Sequence, residues 1–233
     1  FLDQPVALDA SADDLTQRQL FVLLGFMREP YDAMPVAWRA LWSSPLRQEL
    51  LALLDLLDDR NRRLTHALPS PLAALGLRAH ATYSLDEVMA TVDERTKKGG
   101  VKRIQTGVYH LKNHRTDMFF VTLEKSEKQY TPTTLYDDYP ISPERFHWES
   151  QSTCHAETPT GRRYTRLHRN ANEHALLFVR ERRTDERGIT MPYVLLGPCF
   201  YERHEGARPM RIVWELERPM PAGWYQEVKV AAG

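Results

Sequence analysis

The sequence predicts an α+β protein with a helical N-terminal segment followed by a β-rich unit. Two observations carry this prediction. Apolar residues before position 76 recur at the spacing of a helix face, whereas from Gly107 onward they alternate with polar residues, as in half-buried strands. Several short strand-like runs separated by turns are typical of a small sandwich or barrel. We therefore expect one domain over residues 1–76 and a second over residues 77–233.

The N-terminal segment contains three predicted helices. Ser11 precedes the first, over residues 15–27, and a short second helix covers residues 36–42. The third follows Ser44, with Pro45 at its first position, and its leucines share one face as in a helix-bundle core. That face consists of Leu46, Leu50, Leu53, Leu54, Leu57 and Leu64.

Two prolines mark the end of this helical segment. Pro69 and Pro71 break the helical pattern and predict a linker. A last short helix is expected after Ser84, because Glu87 completes a capping box with that serine.

The β-rich unit contains predicted strands over residues 119–123, 145–151, 174–182, 192–203 and 210–217. The turn at residues 185–188 joins two of them as a hairpin. In the strand that begins at residue 145, His147 and Glu149 fall on one face and Trp148 on the other. Trp148 is more typical of a core residue than of a ligand platform.

Composition excludes several classes of protein. The chain has 233 residues, 42% of them hydrophobic and 27% charged, with a formal net charge of zero. It contains no apolar run near the roughly 18 residues that a membrane span requires, and no signal peptide, so we expect a cytoplasmic protein. The first residue is Phe1 rather than Met, which predicts a fragment of a longer chain.

No catalytic or metal-binding motif is apparent. Cys154 and Cys199 lie far apart without the spacing of a zinc site. Lys125 directly follows Glu124, which places the two on opposite strand faces, whereas metal-dependent nucleases need both on one face. No nucleophile motif or glycine-rich phosphate loop occurs. We expect a non-catalytic domain without a metal or a cofactor.

The strongest functional signal is a long polar segment that joins two strands between Asp117 and Ser152. Long loops in compact domains are usually functional. This segment carries Tyr130, Tyr136 and Tyr139 among threonines and aspartates. Aromatic faces beside short hydrogen-bonding side chains suit a flat, polar ligand such as a nucleobase. The alternative is an ordered surface loop whose rings pack on the β-rich unit.

A base-binding site in this region needs rings to stack on the base and a carboxylate to accept from its exocyclic amine. We expect Asp138 or Asp137 to be that acceptor. The predicted base-pocket residues are Phe120, Thr122, Tyr130, Thr133, Tyr136, Asp137, Asp138, Tyr139, Trp148, Ser150 and Gln151.

Basic residues near the predicted strand ends could contact phosphates. The segments 159–166 and 201–211 each place arginines around a glycine, as basic loops do. Solvated arginine is the alternative for each of them. The residues predicted to contact the phosphate backbone of DNA are Lys125, Lys128, Arg162, Arg163, His204 and Arg208.

Several motifs occur in an order that resembles a known bacterial module. They are the runs FFVTLEKSEKQYTPTTLYDDYPISPERFHWESQS, TPTG, LLFVRE and LLGPCFYERHEGARPM, within residues 77–222. The resemblance is to the C-terminal domain of certain bacterial superfamily 2 helicases. Some of these helicases also carry a phospholipase D-type nuclease domain.

This resemblance implies a role in type IV, modification-dependent restriction. It implies a reader similar to the SET-and-RING-associated (SRA) base-flipping domains, with an SRA/PUA-like small barrel. The reader would recognise 5-methylcytosine or 5-hydroxymethylcytosine in duplex DNA for an ATP-dependent restriction enzyme of phage defence. Residues 1–76 would couple it to helicase and nuclease domains of the same parent chain.

Two other functions remain open from the sequence. The module could read another DNA modification. Alternatively, it could be a protein-interaction scaffold, in which the helices dock a motor or nuclease domain.

Overall fold

The computed structural model describes residues 48, 49, 52, 64–97, 100–124 and 137–231. Residues 48, 49 and 52 are helical, as predicted. The rest of the three predicted N-terminal helices lies outside the described residues, apart from Leu64. Leu64 was expected on the leucine face, but it is outside any helix and 76% exposed. The chain is already close to its first strand at this position, so the helical pattern does not extend to it.

The described residues fall into two compact units. One contains residues 48, 49, 52, 64–77, 85–97 and 100–104, and the other contains residues 78–84, 105–124 and 137–231. The expected division into domains over residues 1–76 and 77–233 stays a prediction.

The first unit is small. It has strand β1 (His66–Ala67), a 3-10 helix (Leu72–Leu75) and helix α1 (Leu85–Thr91), which confirms the helix predicted after Ser84. The 3-10 helix follows the two prolines of the predicted linker and ends at Gly76, which has a left-handed conformation. The buried side chains of this unit include Leu72 and Leu75 of the 3-10 helix and Val88 and Met89 of α1.

The second unit is built on one sheet. Its elements in chain order are β2 (Arg78–Ala79), β3 (Thr82–Tyr83), β4 (Val108–Leu111), a 3-10 helix (Lys112–His114), β5 (Thr116–Thr122), β6 (Tyr139–Ser142), β7 (Arg145–Glu149), α2 (Pro159–Tyr164), β8 (His174–Arg180), β9 (Tyr193–Glu205), β10 (Arg211–Leu216) and α3 (Ala222–Ala231). The predicted strands are therefore confirmed within a few residues.

The sheet has the strand order β4-β5-β8-β9-β10-β7-β6, with β3 paired to β9. Only β5 and β8 run parallel in this path, and the other neighbours are antiparallel. The end strands β4 and β6 do not pair with each other in the described part of the chain. The fold is thus α+β with a β-rich sheet, as predicted, but a closed barrel is not found.

The long strand β9 connects the two ends of this sheet. Its first half pairs with β8 and β3, and its second half pairs with β10. The predicted hairpin before it is confirmed: Asp185 accepts from Gly188 through its backbone oxygen, and Gly188 has a φ of +77°. Glycine adopts this conformation without the steric cost that a Cβ atom adds.

One face of the sheet forms the hydrophobic core. Phe119, Trp148 and Trp214 meet there with ring centroids 4.6 to 6.1 Å apart. Helices α2 and α3 contribute Tyr164 and Trp224 to the same core. One face of strand β5 was expected to pack and the other to be partly polar, and all seven of its residues are buried.

The polar side chains of β5 are buried with partners. The carboxylate of Asp117 is fully buried and accepts two hydrogen bonds from Arg163, at 2.6 and 2.9 Å. Thr122 accepts from Nε of Arg180 at 2.9 Å. Because buried polar groups need such partners, the alternation in this strand reflects pairing rather than exposure to solvent. None of the helices in the described ranges has the length and apolarity needed to cross a membrane.

Candidate functional site

A polar cleft of about 250 Å³ opens on the face of the sheet opposite the core. Strands β6, β7, β10 and β9 form its base. Aromatic, charged and aliphatic side chains line it. They are Asp137, Tyr139, Ile141, His147, Glu149, Arg203, His204, Glu205, Arg211 and Val213.

The centre of the cleft is one row of side chains across four strands. Tyr139 is paired with His147, His147 with Val213, and Val213 with Arg203. Directly paired residues of antiparallel strands point to the same face. Val213 is the short side chain of the row and is only 5% exposed. It therefore forms the floor of a slot between the His147 ring and the Arg203 side chain.

The width of this slot suits one flat ring. Neighbouring strands lie roughly 4.8 Å apart, so His147 and Arg203, two strands apart, are separated by roughly 9.5 Å. A ring held between two groups needs about 7–8 Å, which is twice the optimal contact distance of about 3.5–4.0 Å. The slot is therefore wide enough for one planar group and too narrow for two.

The histidine wall of the slot is held in place from two sides. The Tyr139 ring stacks on the His147 ring, with centroids 4.6 Å apart and planes inclined by 14°. Nδ1 of His147 lies 2.6 Å from the backbone oxygen of Asp137. A carbonyl oxygen only accepts, so Nδ1 carries the proton, and Nε2 of the neutral ring is then an acceptor.

Further hydrogen bonds attach Asp137 and Asp138 to the end of β7. The backbone nitrogen of Asp137 donates to Oε2 of Glu149 at 3.1 Å. The backbone nitrogen of Glu149 donates to Oδ1 of Asp138 at 2.9 Å. These bonds hold Asp137 at the cleft.

The arginine wall depends on a β-bulge in β9. Val213 is opposite Arg203 and Trp214 is opposite Tyr201, which leaves Glu202 without a partner in the register. Glu202 accepts from Nη1 of Arg203 at 2.9 Å and from Nε of Arg145 at 2.7 Å. Bulges often re-aim side chains beside functional sites. This one supplies the carboxylate that orients Arg203.

A second row adds charge to one end of the slot. Arg211 is paired with Glu149 on one side and with Glu205 on the other. A Cβ atom at Gly206 would lie 3.5 Å from Nη2 of Arg211 and 3.2 Å from the backbone oxygen of Pro209. Gly206 also has a φ of +71°, so glycine is favoured in this turn. The end of the slot thus offers both carboxylates and guanidinium groups.

His204 lies beside Arg203 at the edge of the cleft, but it is paired with the core residue Ile212, so its side chain belongs to the other face of the sheet. Its Nδ1 lies 2.7 Å from the hydroxyl of Tyr201. Burial raises the pKa of Tyr201, so this phenol stays protonated at neutral pH. Together the lining residues supply donors, acceptors and a ring face, which is the combination that recognises a planar polar ligand.

The structure brings some of the predicted base-pocket residues together. Asp137 and Tyr139 line the cleft, and so does His204, which was predicted as a phosphate contact. Asp138 lies next to them and is 8% exposed. The other residues predicted in the polar segment lie outside the described residues: Lys125, Lys128, Tyr130, Thr133 and Tyr136.

The remaining predicted pocket residues do not line the cleft. Phe120 stacks on Phe178, with ring centroids 4.7 Å apart. Thr122 is bonded to Arg180, as described above. Trp148 lies in the core, which confirms the structural reading of that residue.

Ser150 and Gln151 also have positions outside the cleft. Ser150 is fully buried, and its Oγ accepts from the backbone nitrogen of Met210 at 2.9 Å. Gln151 is exposed, and its backbone oxygen accepts from Cys154. Both residues lie where β7 ends and the chain turns away from the sheet.

The predicted phosphate contacts also separate. Arg162 is exposed and pairs with Glu157 at 3.0 Å. Arg163 pairs with the buried Asp117: burial lowers the pKa of Arg163, but the hydrogen bonds with Asp117 leave it raised. Arg208 is exposed in the turn between β9 and β10.

Sequence reasoning missed several lining residues. Arg203 and Arg211 fall within the predicted strands 192–203 and 210–217 and lie on β9 and at the start of β10, but they were counted only as part of the basic segment 201–211 and not as pocket residues. His147 and Glu149 were placed correctly on one face of a strand, opposite Trp148, without being proposed as ligand contacts. The sequence signal for this site was the polar face of β7. That face becomes a wall of the cleft only when the four strands pair.

The described residues contain no group of three or more His, Cys, Asp or Glu side chains that could hold a metal ion. No curated protein matches the chain. A family model does match residues 77–228, a range that includes the whole cleft and most of the described chain. The chain therefore belongs to the family described as Domain of unknown function (DUF3427).

Proposed function

We propose that the β-rich unit is a non-catalytic, SRA-like module that recognises 5-methylcytosine or 5-hydroxymethylcytosine in duplex DNA by base flipping. The observation that carries the proposal is the slot between His147 and Arg203. The strand spacing gives it room for one ring, the Tyr139 ring stacks behind His147, and Glu149 and Glu205 line one end.

The energetics of base flipping agree with such a slot. Extruding a base costs a few kcal/mol in lost stacking and pairing. Stacking of a base on an aromatic ring returns about 1–3 kcal/mol. An arginine side chain on the other side adds a cation–π contact. Insertion into the slot between His147 and Arg203 would therefore offset most of the cost of extrusion.

The size of the cleft supports a ligand of one base. Pockets for drug-sized ligands have volumes of roughly 300–1,000 Å³. The cleft, at about 250 Å³, is slightly smaller. It accommodates one nucleobase, while the sugar and phosphates stay outside. Exposed cations near its rim, such as Arg208, would then contact the DNA backbone, together with Lys125 and Lys128.

The parent protein is proposed from the resemblance to helicase-associated modules. In this proposal the reader targets an ATP-dependent type IV restriction enzyme to modified DNA. Its partners are double-stranded DNA and the helicase and nuclease domains of the same parent chain. Cleavage and ATP hydrolysis belong to those domains.

A fluorescence anisotropy titration at one fixed salt concentration tests the proposal. We expect the chain to bind a duplex with one 5-methylcytosine more tightly than the same duplex with cytosine. His147→Ala should reduce this preference. His114→Ala is the matched control, because His114 is also partly exposed but lies between β4 and β5 and does not line the cleft.

Base extrusion is measured in the same duplexes with 2-aminopurine, paired with thymine, next to the target on the same strand, because its fluorescence rises when a stacked neighbour leaves the helix. Equal affinities for the modified and plain duplexes would overturn the proposal. They would favour the protein-interaction scaffold instead.

A further inference from the structure

We infer that Glu149 is the carboxylate that accepts from the exocyclic amine of the flipped base, and that it makes the slot selective for cytosine bases over thymine. This inference rests on the proposed function and deepens it. It replaces Asp138 or Asp137, which the sequence favoured for this role, with a neighbouring residue of β7.

Asp138 is already engaged in the fold. Its Oδ1 accepts from the backbone nitrogen of Glu149, and its residue is 8% exposed. Asp138 also does not line the cleft, whereas Asp137 and Glu149 do. The geometry therefore gives Asp138 a structural role in attaching residues 137–138 to β7.

Asp137 contributes through its backbone. Its nitrogen donates to Glu149 and its oxygen accepts from His147. These two bonds orient both residues, while the Asp137 residue itself is exposed. Asp137 is therefore a positioning residue in this scheme.

Glu149 has the required position and free acceptor sites. It lies two residues after His147 on the same strand, so both side chains emerge on the cleft face. A carboxylate has about four lone-pair sites, and the bond to Asp137 uses one of them on Oε2. The remaining sites can accept from an amine of a base that is stacked on the His147 ring.

Glu205 is the rival acceptor, because it also lines the cleft. It differs from Glu149 in its distance from the stack. Arg211 lies between the two glutamates in the register, so Glu149 is on the strand of His147 and Glu205 is two strands away. Among the described residues, no hydrogen bond orients the Glu205 side chain as the Asp137 nitrogen orients Glu149.

The chemistry of the two pyrimidines gives the expected selectivity. Cytosine and 5-methylcytosine present an amino donor at position 4, whereas thymine presents a carbonyl acceptor there. A carboxylate accepts from the amino group but faces the thymine oxygen with a second acceptor. A glutamine amide at the same position could serve either base, because it both donates and accepts.

The experiment compares 5-methylcytosine with thymine, each placed opposite an abasic nucleotide in the same duplex. Neither base then has a pair to break, so the cost of pairing does not differ between the probes. We expect the unmodified chain to prefer 5-methylcytosine by roughly 5- to 150-fold, the range of about 1–3 kcal/mol for one specific base contact. Glu149→Gln should reduce this preference to about threefold or less.

Three further variants complete the design. Glu149→Asp retains a carboxylate, and it should bind more weakly but keep the preference for 5-methylcytosine. Glu186→Gln is the control for loss of one negative charge, since Glu186 is exposed in the hairpin between β8 and β9. Glu205→Gln tests the rival acceptor. Thermal unfolding of each variant shows whether it is folded.

The outcomes separate the inference from the proposed function. If Glu149→Gln keeps the full preference, or if Glu205→Gln abolishes it instead, the inference is wrong. The proposed function still stands in both cases if the unmodified chain prefers the methylated, fully paired duplex to the plain one. If the unmodified chain shows neither that preference nor base extrusion, the proposed function is wrong and the inference falls with it.

Discussion

The two faces of strand β7 have different roles although they alternate along five residues. Phe146 and Trp148 are buried in the core, where the Trp148 ring contacts the Phe119 ring. His147 and Glu149 point to the opposite face and line the cleft. The strand itself is the same, so the difference arises from the neighbours that the sheet and the helices bring to each face.

The comparison shows why ring content alone does not identify a binding site. The Trp148 ring lies against Phe119, Tyr164 and Trp214, so its faces are covered. His147 stacks on Tyr139 and borders the slot with its other side. The more hydrophobic ring is the structural one, and the more polar ring is available to a ligand.

The largest expected effect comes from replacing two adjacent residues by alanine, one on each face of β7. Trp148→Ala removes a core ring and should lower the free energy of unfolding by about 3–5 kcal/mol. His147→Ala should lower it by about 1 kcal/mol or less, because the ring is half-buried. It should instead weaken binding of a methylated duplex by roughly 5- to 150-fold, as expected for about 1–3 kcal/mol of stacking.

Urea unfolding and anisotropy titrations measure the two quantities. A comparable loss of stability in both variants would contradict the assignment of the faces. His114→Ala serves again as the control for the binding measurement.

The second effect concerns alkaline pH and the core face. Burial raises the pKa of Cys199 well above 9.0 and that of Tyr164 above 10.0, with a further contribution from the charge of Asp117. Since the folded-state values lie above the unfolded ones, the contribution of each group is fully present below the unfolded pKa. It is lost as the pH rises above that value. The free energy of unfolding should therefore fall from about pH 9 upward. Each of the two groups should lower it by about 1.4 kcal/mol per pH unit above its own unfolded-state pKa.

Urea unfolding between pH 7 and pH 11 checks this prediction, with the range chosen to bracket both ordinary pKa values. The variants Cys199→Ala and Tyr164→Phe should each have a shallower decline than the unmodified chain. An unchanged slope in the double variant would show that other groups are responsible.

The third effect sharpens the role of the β-bulge. Glu202→Gln weakens the orientation of Arg203, so we expect about two- to fivefold weaker binding of a methylated duplex, which is less than about 1 kcal/mol. The melting temperature should change little, because exposed ion pairs add little to stability. Glu157→Gln is the matched control, since it breaks the exposed pair with Arg162 instead. Equal binding by both variants would remove the bulge from the recognition scheme.

The smallest effect concerns the floor of the slot. Val213→Thr keeps the shape of the side chain but replaces a methyl group with a hydroxyl. If the 5-methyl group contacts this floor, the preference for 5-methylcytosine over cytosine should fall by about two- to threefold. A ratio that does not change would place the methyl group elsewhere in the slot. Affinity for the plain duplex, measured in the same titration, is the internal control.

Much of the fold could be predicted from local patterns. The alternation around Trp148 identified a strand and assigned its two faces correctly. The run that ends at Gly188 identified a hairpin. Both signals are local, because side-chain direction in a strand and positive φ in a turn depend on a few adjacent residues.

The path of the sheet was less accessible to sequence reasoning. A barrel was expected, but the described strands form an open path from β4 to β6. Strand β5 was expected to have one packing face and one partly polar face, and its position between two neighbours buries both faces. Periodicity does not report which strands pair, since pairing joins residues that are far apart in the chain.

By itself, the sequence determined the strands and their faces, the hairpin, and Asp137 and Tyr139 as candidate ligand contacts. Only the tertiary structure decided that His147, Val213 and Arg203 form one row. The physical reason is that the slot requires side chains up to 74 positions apart in the chain, from Tyr139 to Val213, to meet at the strand spacing. Backbone pairing across β6, β7, β10 and β9 produces that meeting, and no local pattern encodes it.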